Sequence, residues 1–205
     1  MNPLAELWDW RRRITDLYAA VRASSDPAAG WQLWRDTRDR LFRGHPQSPL
    51  EPADRAGFRG LRYFPYDPAL RFLVRLDPLA DAADEEALAG EDGMVRLRPF
   101  ARTDGLRASL GSELTLYWII GYGGGAFLPF ADATNGGETY GAGRYLLDSI
   151  KGADLGSAAD GRLVLDFNFA YPPSCAYSPR WVCPLPPATN RLPRAVRAGE
   201  RSGSA

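Results

Sequence analysis

The chain has 205 residues, 45% of them hydrophobic and 24% charged, a size and balance that describe one globular unit and exclude a disordered tail or a repeat array. A chain of this length buries roughly 70% of the surface its unfolded form exposes, so neither disulfides nor a structural metal is needed as a staple. Twenty-five basic and twenty-five acidic residues cancel to zero net charge, and without a basic stripe the electrostatic footprint of a nucleic-acid binder is missing.

Residues 1–44 predict a helical hairpin. Leu4, Leu7, Trp8, Ile14, Leu17, Tyr18 and Val21 recur at helical spacing behind Asn2-Pro3, a cap followed by a first-turn proline. Residues 3–22 make a rod about 30 Å long. Asp26-Pro27 repeats the signal, and Leu33, Trp34, Leu41 and Phe42 carry the second helix to a stop at Gly44. Arg35, Asp36, Arg38, Asp39 and Arg40 read as its solvated face, with local ion pairs. His45, the only histidine, follows a helix end and reads as a cap or surface group rather than a catalyst. The opening MNPLAELWDWRRR lacks an apolar stretch of signal-peptide length, and the run from Leu114 to Ile120 is too short to span a bilayer. A cytoplasmic, soluble protein without membrane contact is expected.

From Gly44 to Gly60 the proline-punctuated chain reads as an irregular connector. From Leu61 the period changes to two, with candidate strands at Leu70–Leu76, Met94–Arg98, Leu106–Leu110, Glu113–Ile120, Ala126–Phe130, Arg144–Asp148 and Arg162–Asn168. Short spacings without intervening helices favour antiparallel pairing. The predicted fold is α+β: a helical hairpin on a curved, mostly antiparallel sheet or partial barrel, with residues 45–200 forming one unit with the hairpin. The acidic stretch Asp77–Asp92 reads as a polar loop or short exposed helix, and Lys151–Gly161 as a loop insertion. Beyond Phe169 the chain is rich in proline but also holds Tyr171, Tyr177, Trp181 and both cysteines, so it reads as an ordered strap. Residues 201–205 are expected to fray.

Two polar clusters carry the chemistry. In Pro129–Tyr145, glycines allow close approach of the backbone while Asp132, Thr134, Asn135, Glu138, Thr139, Tyr140 and Arg144 supply donors and acceptors. It is neither a dinucleotide fingerprint nor a P-loop. In Leu165–Tyr171, Asp166 and Asn168 share one face of an extended segment, which makes them either a buried hydrogen-bond network or the wall of a cavity. Arg144 pairs either with a neighbouring carboxylate or with an anionic group of a ligand. Cys175 and Cys183 read first as buried fillers and second as a redox-sensitive or nucleophilic thiol pair. With two cysteines and one histidine a self-contained zinc site is excluded, and neither a metal nor a cofactor is read from the chain.

These residues resemble a known family. PFADATNGGETYGAGRYL, followed by LDFNFAYPPSCAYSPRWVCPLPPATNRLPRAVRAGE, is similar to the bacterial and archaeal domain-of-unknown-function family 1684. The shared pattern falls on Pro129, Phe130, Asp132, Thr134, Thr139, Tyr140, Gly143–Tyr145, Leu165–Asn168, Ala170–Pro173, Cys175, Cys183–Pro187, Asn190 and Ala198–Glu200. Weaker likeness extends upstream through Ser48–Leu50 and the segment from Phe58. Where the family has an asparagine in its AYNP element, this chain has Pro172. The resemblance implies a fold and a shared set of polar residues but no activity.

The expected function is therefore the binding of a small anionic molecule in a pocket where the two polar clusters meet, with or without turnover. Thr134, Thr139, Arg144, Asn168 and Asn190 are the candidate ligand contacts. Asp132 or Asp166 is the candidate general base, and Tyr140 an acid or oxyanion donor. Two alternatives stand beside it: a structural module in which these residues only fasten the strap, and thiol or metal chemistry at Cys175 and Cys183.

Overall fold

The computed structural model describes residues 2–80, 82–88 and 93–204. Helices α1 (Pro3–Ala23) and α2 (Pro27–Gly44) form the hairpin, started by the capping expected from sequence: the Asn2 side chain accepts the Leu4 N–H and Asp26 accepts that of Ala28. His45 is the C-cap of α2. The connector holds one helical turn, α3 (Pro52–Arg55), and leads into β1 (Leu61–Tyr63). Then follow β2 (Arg71–Pro78), β3 (Glu85–Leu88), β4 (Met94–Asp104), α4 (Arg107–Leu110), β5 (Thr115–Ile119), β6 (Gly125–Phe130), β7 (Arg144–Asp148), β8 (Leu163–Asp166) and β9 (Glu200–Ser204).

The large sheet runs β7-β6-β5-β4-β2-β8, all neighbours antiparallel, with β3 on the free half of β4. After β8 the chain turns through a single 3-10 turn, and Tyr171 then exchanges two backbone hydrogen bonds with Tyr145 of β7, at 2.8 and 3.1 Å. That bridge nearly closes the sheet into a barrel. Its interior is solid: Val74, Leu116, Leu128, Phe130, Leu165 and Phe167 are each at most 2% exposed and pack together, leaving no lumen for a ligand. The hairpin lies outside, where Trp34, Tyr18 and Val21 pack on Phe169 and Ala153. Among the described residues no helix is long and apolar enough to cross a membrane.

The structure revises several expectations. Leu106–Leu110 is helical rather than extended, because the Glu113 carboxylate accepts the N–H groups of Gly105, Leu106 and Arg107 at 2.7–3.2 Å and so caps α4. The acidic stretch, in so far as it is described, continues β2 through Pro78 and adds β3; residues 81 and 89–92 lie outside the described residues. The C-terminal residues, expected to fray, form β9, paired antiparallel with β1. That ribbon covers α2, so the arginine-rich face is only partly solvated. Arg38 is buried, donates to Glu200 Oε2 and to the Tyr63 hydroxyl, and lies over the rings of Trp34, Phe42 and Tyr171.

Candidate functional site

The polar loop after β6 closes upon itself. Thr134 donates to Asp132 Oδ1 through both its N–H and its hydroxyl, at 2.8 and 2.6 Å, and its hydroxyl also meets that of Thr139. Asn135 holds the loop's two ends by accepting the Asp132 N–H and donating to the Tyr140 carbonyl. Gly143, at φ +100°, lets β7 begin hard against the strap, since a Cβ there would stand 2.5 Å from Pro186 and 2.7 Å from the Phe130 carbonyl.

Arg144 is the centre of this region and is wholly buried. It donates to Asp132 Oδ2 at 2.8 Å, to the Val196 carbonyl at 2.9 Å and to the Ala198 carbonyl. Asp132 Oδ1 takes the Val196 N–H as well. The ion pair thus reads strap backbone, and the expected anion clamp is corrected: the acceptors that Arg144 serves are protein groups. Its Nε alone lacks a partner, with the guanidinium lying 5.1 Å from the centre of the Phe130 ring. Burial lowers its pKa against the pull of Asp132. Asn190 does similar work at the barrel wall. Its side chain accepts the Thr115 N–H at 2.7 Å and donates to the Thr115 and Pro129 carbonyls at 2.8 Å each, replacing a peptide group between β5 and β6.

The second cluster does not join the first in a shared hollow. Chain direction turns at Asp166, so Asp166 and Asn168 are not alternate positions of one strand. Asp166 caps the 3-10 turn by accepting from the N–H and Nδ2 of Asn168. Asn168 exchanges hydrogen bonds with the backbone of Asp67, and its carbonyl accepts the indole N–H of Trp31 at 2.8 Å. These contacts fix the hairpin and the β1–β2 connection to the barrel. Burial raises the Asp166 pKa despite the donors around it. As a general base Asp166 is disfavoured by those partners, and Asp132 by its own. None of Asp132, Thr134, Thr139, Arg144, Asn168 or Asn190 lines either hollow beside Tyr140.

Tyr140 is the candidate that stays open, and it separates two hollows. One, of about 460 Å³, lies between α3, the β1–β9 ribbon and the strap, with Phe58, Leu61, Tyr177, Arg201 and Ser202 in its wall. At its back, Glu200 is buried and satisfied by Arg38 and by the Tyr177 hydroxyl. Burial raises the Glu200 pKa against the attraction of Arg38. Gly199 makes this position reachable: at φ +75° a Cβ would meet the Ala170 carbonyl at 2.4 Å. The Arg201 side chain, by contrast, forms no ion pair or hydrogen bond among the described residues; its Nε is buried without an acceptor while its guanidinium covers the Phe64 ring at 5.0 Å. Neither Arg201 nor Arg38 stands out as a site residue in the sequence, where Arg201 belongs to the tail expected to fray and Arg38 to the solvated face of the second helix.

On the other side of Tyr140 a hollow of about 490 Å³ contains Cys175, Cys183 and Trp181. Both cysteines are unbridged and half-buried. The Tyr140 hydroxyl donates to Cys175 Sγ at 3.6 Å. A wider groove of about 640 Å³ between α1 and α2 contains Asp9, which is engaged by Arg12, Arg13 and His45.

The architecture defines an α+β protein, a nearly closed antiparallel barrel with an outer helical hairpin and a strap tied by buried polar groups. The chain belongs to the family described as "Protein of unknown function (DUF1684)", which matches residues 56–201. No curated protein matches it. Among solved structures, the solution NMR structure of the uncharacterized protein from gene locus rrnAC0354 of Haloarcula marismortui is 37% identical, covering 83% of this chain and 91% of that one with a TM-score of 0.55.

Proposed function

We propose that the chain is a small-molecule-binding domain whose ligand occupies the hollow between α3, the β1–β9 ribbon and the strap. The observation that carries this reading is Arg201, a guanidinium without a carboxylate partner among the described residues and set in the wall of a 460 Å³ hollow. A carboxylate or phosphate matches that donor. Phe58, Leu61 and Tyr177 offer an aromatic and apolar face for the body of the ligand, and Asp54 in the same wall disfavours multiply charged anions. Tyr140, its pKa pushed up to about 12 mainly by burial, is a neutral donor at ordinary pH. Both Glu200 oxygens are occupied, so the arrangement favours binding over turnover. The polar motif around Asp132, Arg144 and Asn190 serves to fasten the strap. A cytoplasmic setting, which keeps thiols reduced, fits the unbridged cysteines.

The test is a thermal-shift series on the full chain with aromatic monocarboxylates and aryl phosphates. The wild type should be stabilised by members of this panel, and Arg201→Ala should lose that shift while melting close to wild type without ligand. An Arg201→Ala protein that keeps the shift, or a wild type indifferent to the whole panel, contradicts the proposal.

A further inference from the structure

The second hollow poses a separate chemical question; of the residues that line it, only Tyr140 also borders the Arg201 site. Its two sulfurs sit on an irregular part of the strap, Cys175 in a 3-10 turn (Ser174–Ala176) and Cys183 beyond it. Both cysteines line the same hollow, and the Cys183 thiol and the Cys175 backbone N–H both lower the Cys175 pKa. Tyr140 adds its O–H from the loop after β6, and Lys151 adds a weaker favourable charge. The wall nearby is largely apolar, with Ala142, Val182, Leu185 and Pro186, while β3 contributes Glu85 and Glu86. Trp181 presents a buried indole N–H without an acceptor in the same wall. Together these groups favour one thiolate beside one thiol in a place that admits a neutral apolar molecule and repels anionic disulfides.

We propose that Cys175 and Cys183 form a dithiol site that reduces neutral organic hydroperoxides, Cys175 attacking and Cys183 resolving. The Cys175 thiolate bonds to one peroxide oxygen and the O–O bond breaks. The leaving alkoxide takes a proton from the Tyr140 hydroxyl, which solvent restores, and departs as an alcohol. Cys175 is left as a sulfenic acid, oxidised by two electrons, and the peroxide is reduced by the same two. The Cys183 thiol gives up its proton as its sulfur attacks that of Cys175, the S–O bond breaks, and the hydroxide leaves protonated as water. Two thiols and one hydroperoxide become one disulfide, one alcohol and one water. An external dithiol restores the pair by exchange. Few hydrogen bonds hold the strap between Trp181 and Pro187, which leaves it free to bring the sulfurs to disulfide geometry.

The division of labour between the cysteines follows from their surroundings. Donation from Cys183, working against burial, lowers the Cys175 pKa to about 6, and the reciprocal effect with burial raises that of Cys183. These surroundings favour the thiolate at Cys175 over that at Cys183, with Tyr140, Cys183, Lys151, Tyr145 and the β3 glutamates as the titratable groups around the pair.

The experiment uses the reduced full-length chain and cumene hydroperoxide. The wild type should lose two thiols per hydroperoxide consumed and two hydrogens in intact mass. Its rate should level off above about pH 7 instead of climbing through the ordinary thiol range near 8.5. Cys175→Ser should abolish consumption. Cys183→Ser, which keeps a donor to Cys175, should still consume one equivalent and stop at a sulfenic acid that dimedone traps. Tyr140→Phe should slow consumption by about a hundredfold. Consumption no faster than by free cysteine, equal thiol loss in Cys175→Ser, or oxidation without a Cys175–Cys183 disulfide overturns the proposal.

Discussion

Between Asn190 and Ala198 the strap meets side chains whose hydrogen-bonding capacity is nearly exhausted: Asp132 and Arg144 take up the backbone of Val196 and Ala198, and Asn190 completes the ladder between β5 and β6. Between Ser174 and Pro187 the same strap meets an unpaired indole N–H, a phenol whose acceptor is a sulfur, and two unbridged thiols. Both stretches carry residues of the family pattern and both hold polar groups. What separates them is how far their polar atoms are matched within the chain: among the described residues the first leaves only Arg144 Nε bare, while the second, although Tyr177 and Ser178 are paired, leaves the Trp181 indole and the thiols. In the first stretch matching makes the polar residues structural, because a buried group with a partner stabilises while the same group left bare costs about 1–3 kcal/mol. In the second, the unmatched groups are available to something else.

Removing the ion pair breaks this contrast most severely. Arg144→Ala leaves Asp132 buried without its counter-charge and two strap carbonyls bare, and should destabilise the protein by about 3–5 kcal/mol, measured as a lower urea midpoint. A smaller loss is expected at Glu113, another closed site, where Thr103 and three backbone N–H groups surround the carboxylate. Burial pushes its pKa up, but these donors prevail and hold it below the usual value of 4.5. A carboxyl depressed in the folded state stabilises fully above its unfolded pKa and loses that contribution as pH falls through the folded one. Glu113→Gln should therefore cost about 1–3 kcal/mol at pH 7, with the gap to wild type closing below about pH 4 in denaturation series taken at several pH values. Arg201→Ala, on the open side, should shift stability by no more than about 0.5 kcal/mol.

How far such a contrast is legible in sequence depends on the range of the contacts. The hairpin was legible because its signals are local: Asn2 and Asp26 cap helices that begin at the very next residues. β7 begins and ends where alternation and Gly143 place it, at Arg144 and Asp148. By contrast, Leu106–Leu110 alternates like a strand and folds as a helix because its cap, Glu113, reaches back from beyond the turn. β9 reads as a fraying tail because its residues are small and polar, and only pairing with β1 orders it. At the site the residue types were visible but their partners were not. Asp132 and Val196 are 64 positions apart, and Arg38 and Glu200 162. No local pattern could distinguish Arg144, paired with Asp132 and two strap carbonyls, from Arg201, whose side chain has no such partner among the described residues.

Native-state hydrogen exchange on the wild-type chain compares the two stretches of strap directly. The amides of Leu192, bonded to the Ala131 carbonyl, and Val196, bonded to Asp132, should exchange only through large-scale opening. Those of Val182, Cys183 and Leu185, which make no hydrogen bond among the described residues, should exchange orders of magnitude faster. Equal protection along the strap, or faster exchange at Leu192 and Val196, would contradict the division between a fastened stretch and an open one.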